Sequence, residues 1–229
     1  LSSKYKDLTP YVPGEQPKDR RYIKLNTNEN PFPPSPRAQA LAAEAAAGLQ
    51  LYSDPECTLL VEKAAQYYGI DRDEIIFTNG SDEMLNFAFM TFCDDNRPAV
   101  FPDITYGFYS VFAELNHIPY TTIPLRDDFS VGVEDYLGLN KTIFLANPNA
   151  PTGLALPMER IEAILQSNPN NIVVIDEAYA DFNGESAVPL IHKYENLLVV
   201  QTFSKSRSMA WNTLTLADTP SRSAGQILP

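Results

Sequence analysis

"NIVVIDEAYADFNGESAVPLIHKYENLLVVQTFSKS", residues 171–206, contains two apolar runs, "NIVVIDEA" at 171–178 and "NLLVVQTF" at 196–203. Both are apolar on the two alternating faces of an extended chain, which is the pattern of strands inside a parallel sheet covered by helices on either side. The residues just past each run carry chemistry. Asp176 closes the first, with Tyr179 three residues on, and "SKS" at 204–206 comes directly after the second and delivers Lys205. Ligands of open α/β sheets bind outside the carboxyl ends of the strands, so these residues stand where function is expected.

The same pattern extends outward along the chain. "EIIF" (74–77), "PAVF" (98–101), "PYTTI" (119–123) and "KTIFLA" (141–146) are further strand candidates. Helical patterns separate them at 36–48, 55–68, 81–92, 105–116 and 157–167. This alternation predicts βαβ units and an α/β fold of three layers, a mostly parallel sheet with helices on both faces. Residues 1–35, with "TPYVPGEQP" and "NPFPPSP", are too rich in proline to belong to that core and are expected to form an extended arm. Residues 36–210 carry the layered pattern. It stops there, and residues 211–229 show no hydrophobic period.

Of the 229 residues, 44% are hydrophobic and 20% charged, a composition that supports a sizeable core. A net charge of -12 argues against a nucleic-acid surface, which needs clustered Lys and Arg. Cys57 and Cys93 lack metal-ligand spacing and are expected to be free thiols rather than a disulfide. No apolar run approaches the ~20 residues needed to cross a bilayer, and no signal peptide opens the sequence, so a cytoplasmic protein with no membrane partner is expected.

Four segments come directly after strands and would meet at one sheet edge. "TNGSDE" offers Gly80, Ser81 and Asp82 at a helix N-terminus, which suits an anion; "NPNAPTG" offers a rigid turn; "DEAY" offers a carboxylate and a phenol; "SKS" offers an amine. Each has an ordinary reading as a cap, a turn, a loop start or a surface lysine. Their convergence is harder to account for that way.

Together with "LNTNENPFPPSP" and "PDITYGFYSV", these segments resemble the histidinol-phosphate aminotransferases, a branch of the fold-type I aminotransferases that use pyridoxal 5'-phosphate. The resemblance covers roughly residues 5–210. It implies transamination between histidinol phosphate and 2-oxoglutarate in histidine synthesis, by a homodimer whose partners are small-molecule substrates. It further implies that Lys205 bonds the cofactor aldehyde and shuttles a proton, that Asp176 keeps the pyridine nitrogen protonated, and that Tyr179 meets the ring hydroxyl. Gly80, Ser81, Asp82 and Ser204 would hold the phosphate and Tyr106 would stack on the ring. Tyr52 would reach the phosphate of a neighbouring subunit, and Tyr11 and Asn28 would cover the substrate. A related aromatic aminotransferase, a threonine-phosphate decarboxylase, or a non-catalytic fragment would share much of this pattern.

Two departures stand out. Similar enzymes have asparagine immediately before "PTG", where this chain has Ala150, which leaves Asn149 as the nearest substitute. They also continue from the lysine segment into a strand carrying a phosphate-binding arginine, where this chain has Trp211, Asn212 and Thr213. Dropping one base from the tryptophan codon would let Trp211–Leu214 be read as Gly-Ile-Arg-Leu. The expectation is therefore an aberrant tail at 211–229, a missing small C-terminal domain, and an incomplete sheet whose first and last parallel strands lack the strand between them.

Overall fold

In the computed structural model, which describes residues 15, 17–20 and 22–210 and the backbone of 215–218, all six apolar runs are strands. They are β1 (Ile75–Thr78), β2 (Ala99–Pro102), β3 (Tyr120–Ile123), β4 (Thr142–Ala146), β5 (Val173–Asp176) and β6 (Leu197–Thr202). A seventh, β7 (Thr215–Asp218), lies in the tail. The helices are α1 (Pro36–Ala45), α2 (Thr58–Tyr68), α3 (Ser81–Phe92), α4 (Phe108–Leu115), α5 (Met158–Ser167) and the short α6 (Ala180–Asn183). One sheet results, in the order β1-β7-β6-β5-β4-β2-β3. Strands β2 to β6 pair in parallel, and β7 is antiparallel to both of its neighbours.

The alternation along each central strand builds two cores. Ile143 and Leu145 of β4, Val173 and Ile175 of β5, and Leu197 and Val199 of β6 pack with Val61 and Ala65 of α2 and Ile161, Ile164 and Leu165 of α5. The intervening residues Phe144, Val174, Leu198 and Val200 turn to the other face, against Leu85, Phe89 and Phe92 of α3 and Phe112 of α4. Phe89 stacks on Phe144 with ring centroids 4.0 Å apart. The period-2 side-chain alternation of a strand feeds both layers at once, which is why these runs carry almost no polar residues. Cys93 is buried, Cys57 is half-buried, and both are free thiols.

The sheet corrects one expectation. The gap between β1 and β6 is filled: Thr215 pairs with both Thr78 and Thr202, and Asp218 with both Ile75 and Val199. The backbone groups of those two strands therefore find partners in the middle of the sheet, where orphan donors and acceptors are costly. A strand can be dictated by the edges on either side of it, with little signal of its own.

A chain ending at Ala210 would lose both rows of pairing. We expect a lower denaturation midpoint than for the 229-residue chain and faster aggregation on light scattering. Equal stability of the two chains would show that β7 contributes nothing to the sheet.

Candidate active site

Each strand that ends at the carboxyl edge passes into a turn that adds one wall of a cleft. After β1 the chain turns at Gly80, whose φ of +89° and ψ of 160° exclude a side chain, and enters α3. No side chain caps that helix. Its first N–H groups have no intrahelical acceptor, which makes the end an anion site in waiting. Asp82 and Glu83 complement the helix dipole in the first turn, and Glu83 accepts the Asn79 N–H at 2.6 Å.

The cleft is lined by Asn79, Gly80, Ser81 and Asp82 on one side, Tyr106 on another, and Asp176, Tyr179, Ser204 and Lys205 from the ends of β5 and β6. Of the expected residues, Gly80, Ser81, Asp82, Tyr106, Asp176, Tyr179, Ser204 and Lys205 thus come together. Lys205 is the one cation among the lining residues, and its Nζ lies 5.8 Å from the centroid of the Tyr179 ring.

Asp176 sits on the floor with 4% of its surface exposed. Burial pushes its carboxyl up to about 6, helped by the charge of Asp82. Hydrogen bonds from the Tyr109 hydroxyl and the Ala178 N–H, and the Lys205 charge, pull the other way. Tyr106 donates to Asp82 Oδ1 at 2.8 Å, and burial beside that carboxylate drives its phenol far above the ordinary range. The hydroxyl therefore keeps its proton and acts only as a donor to Asp82.

The arm closes over the far side. Asn28 Nδ2 donates to Tyr179 Oη at 2.9 Å, with Asn28 at a φ of +52°. Asn30 is a contact that sequence reasoning missed. Its Nδ2 donates to the carbonyls of Lys205 and Ser206, each at 3.1 Å, while its Oδ1 accepts the Phe32 N–H at 3.1 Å. The arm therefore grips the turn that carries the amine. Nothing local to "NENP" signals a bond to residues 175 and 176 positions away.

The remaining candidates lie elsewhere. Asn149 does not line the cleft, where Ala150 stands instead. Its amide is committed to the Thr105 hydroxyl, the Ile104 carbonyl and the Thr152 hydroxyl, at 2.8, 3.0 and 3.2 Å, so it braces the turn. Asn149 does line the adjoining groove, together with Asn28, Tyr179 and Lys205. Tyr52 is fully exposed at 105% and apart from the cleft. Tyr11 and Thr213 lie outside the described residues. No helix among the described residues is long and apolar enough to cross a membrane.

An amine, a buried carboxylate and an uncapped helix end thus stand on the walls of one cleft at the carboxyl edge of an α/β sheet, where such folds bind ligands. The chain belongs to the aminotransferase class I and II family, whose profile matches residues 20–211. It is 49% identical over 210 residues to the histidinol-phosphate aminotransferase of Clostridium beijerinckii, covering 91% of this chain and 59% of that protein. It is 52% identical over 210 residues to histidinol-phosphate aminotransferase 2 of Dechloromonas aromatica, covering 90% and 59%. The crystal structure of the histidinol-phosphate aminotransferase of Sinorhizobium meliloti in complex with pyridoxal 5'-phosphate superposes with a TM-score of 0.81 at 25% identity, covering 86% of this chain and 56% of that one. The chain thus spans about 59% of the length of these curated relatives.

The raised Asp176 carboxyl makes a stability prediction. The folded protein holds this proton more tightly than the unfolded chain, so stability falls as pH rises from 3.8 through about 6. Asp176→Asn should stabilise the protein without added ligand at pH 7 by up to about 3 kcal/mol, and the gain should vanish below pH 3.8. Denaturation curves across that range check it; an Asn variant less stable at neutral pH would contradict it.

Proposed function

We propose that this chain is a pyridoxal-phosphate-dependent aminotransferase acting on histidinol phosphate, with 2-oxoglutarate as amino acceptor, in histidine biosynthesis. The observation that carries the reading is the joint placement of Lys205, Asp176 and the open N-terminus of α3 on one cleft. About half of all aligned positions match proteins named for that activity.

When bound, the cofactor supplies an aldehyde that condenses with amines and a ring that withdraws electrons. The residues of this chain fit it. Lys205 Nζ has no hydrogen-bond partner among the described residues, so it is free to bond the aldehyde and, once released, to move a proton at the substrate α-carbon. The Asp176 carboxylate holds a proton on the ring nitrogen. Tyr179 Oη accepts from Asn28 and so keeps its own proton for the ring hydroxyl. The N–H groups of Gly80, Ser81 and Asp82 and the Ser204 hydroxyl bind the phosphate, and the Tyr106 ring covers the cofactor face. Asn28, with Tyr11, covers the substrate.

A second copy of the chain fits the same reading. Helix α1 buries none of its residues, and Leu41, Leu49, Leu51, Tyr52, Leu59 and Tyr67 are all exposed. An apolar surface of that extent calls for a partner, and a homodimer would bring Tyr52 to the neighbouring phosphate. Nucleic acid and membrane are not partners in this reading, and the cytoplasm is its compartment.

Borohydride reduction after mixing with pyridoxal phosphate should fix a pyridoxyl group on the peptide containing Lys205, and Lys205→Ala should abolish it. Labelling of Lys63 or Lys141 instead would overturn the assignment. Asp176→Asn should retain cofactor while any turnover of histidinol phosphate falls by orders of magnitude. With Thr213 where similar enzymes have an arginine, a charge-assisted contact of about 1.5 to 3 kcal/mol is lost, so cofactor affinity should be weaker by about one to two powers of ten than with Thr213→Arg.

A further inference from the structure

Among the described residues Tyr109 is, with Tyr136, the largest of the fully buried side chains, and 0% of its surface is exposed. It sits on α4 among aromatic rings: Phe101 at 5.6 Å, Phe144 at 5.9 Å and Tyr106 at 5.6 Å, the last edge-on at 83°. A phenylalanine would serve that packing equally well. The hydroxyl is what needs explaining, because a buried hydroxyl is costly unless it is bonded. It donates to Asp176 Oδ2 at 2.9 Å, while the Ala178 N–H donates to Oδ1 at 3.1 Å. Each oxygen of the floor carboxylate thus has its own donor, and the two fix the plane of the group.

We propose that Tyr109 is a positioning residue for the cofactor's ring nitrogen: through Asp176 it fixes the orientation and the charge of the carboxylate that meets that nitrogen. This rests on the reading of the cleft as a pyridoxal-phosphate site. Sequence reasoning passed over Tyr109 because it comes one helical turn after Tyr106 inside an aromatic stretch, where it reads as core.

The charges facing Asp176 make the hydroxyl necessary. Asp82 at the start of α3 opposes ionisation, and Lys205 after β6 favours it. Tyr106 and Tyr179 also border the cleft. Tyr106 spends its proton on Asp82, so it gives Asp176 no hydrogen bond. Burial next to Asp176 pushes the Tyr109 phenol well above its ordinary range, so the hydroxyl stays protonated and always faces the carboxylate as a donor. The two tyrosines, three residues apart on one turn, each take one of two mutually repelling carboxylates. A hydrogen bond to a buried charge is of the strong kind, and its loss moves a titration midpoint by about one unit or more.

Tyr109→Phe keeps the ring and removes only the bond. Carbon-13 NMR of aspartate carboxyls in the cofactor-free chain, with Asp176→Asn used to assign the signal, should show the Asp176 midpoint about one pH unit higher in Tyr109→Phe. Trifluorotyrosine at position 109, a stronger donor, should move it down. An unchanged midpoint in both would overturn the proposal. The second measurement compares affinity for pyridoxal phosphate with affinity for its analogue in which CH replaces the ring nitrogen. Tyr109→Phe should weaken the first about tenfold at neutral pH and leave the second unchanged; equal weakening of both would reduce Tyr109 to a packing role and overturn the proposal. If the unaltered chain binds neither compound, the cofactor reading fails, and the NMR titration still decides whether Tyr109 governs Asp176.

Discussion

A single carboxylate, Asp176, is buried at the end of a strand whose other residues are wholly enclosed, and much of the site results from accommodating it. A charge removed from water needs partners within hydrogen-bond reach, or it takes up a proton. The protein supplies hydrogen bonds from a phenol on α4 and a backbone N–H in the turn after β5, and the charge of an amine from the turn after β6 acts on it without a bond. Those three come from separate elements, and the parallel sheet is what aligns them. Because β4, β5 and β6 run the same way in register, their carboxyl ends form one edge, and the turn at the end of each strand is delivered there.

The same residue shows how the site and the fold compete. A neutral side chain on the floor would relieve the burial penalty, yet in the proposed function only an ionised one would hold a proton on a pyridine. The neighbouring Glu177 meets the opposite demand. It points to the other side of the strand, where Ser186, Gln201 and the Ala187 N–H fill its oxygens, and burial still drives its carboxyl upward. Two adjacent acids in "DEAY" therefore serve different ends, one facing the cleft and one tying β5 to β6 and to the segment beyond α6.

How much of this was legible in the sequence depends on distance along the chain. The runs of the central strands β2, β4, β5 and β6 announced themselves because both faces are buried, whereas the edge strand β3 is half exposed, and the helices between the strands showed the spacing that covers such a sheet. Gly80, Ser81, Asp82, Asp176, Tyr179, Ser204 and Lys205 were legible because they stand at or just past a strand end, whereas Tyr106 was picked out by the family resemblance alone. Asn30 and Tyr109 were not, since their meaning lies in bonds to Lys205, Ser206 and Asp176, far away in sequence. Asn149 has local bonds that the sequence did not announce: its amide meets Thr105, Ile104 and Thr152, while the residue lines the groove shared with Tyr179 and Lys205. β7 was missed because "TLAD" has four residues and no apolar run, and its place is set by β1 and β6.

That last strand also governs the order in which the sheet can assemble. Its partners on β1 lie more than half the length of the chain away, whereas each of the other pairings joins segments much closer in sequence. Pairings of such long reach form late, because the entropy of closing the loop must be met before they return anything. During synthesis, β2 to β6 can therefore associate as a parallel unit while β1 and α2 wait beside it. The first of these seven strands to be made is the last one locked in, and the lock is turned by the last of the seven to leave the ribosome.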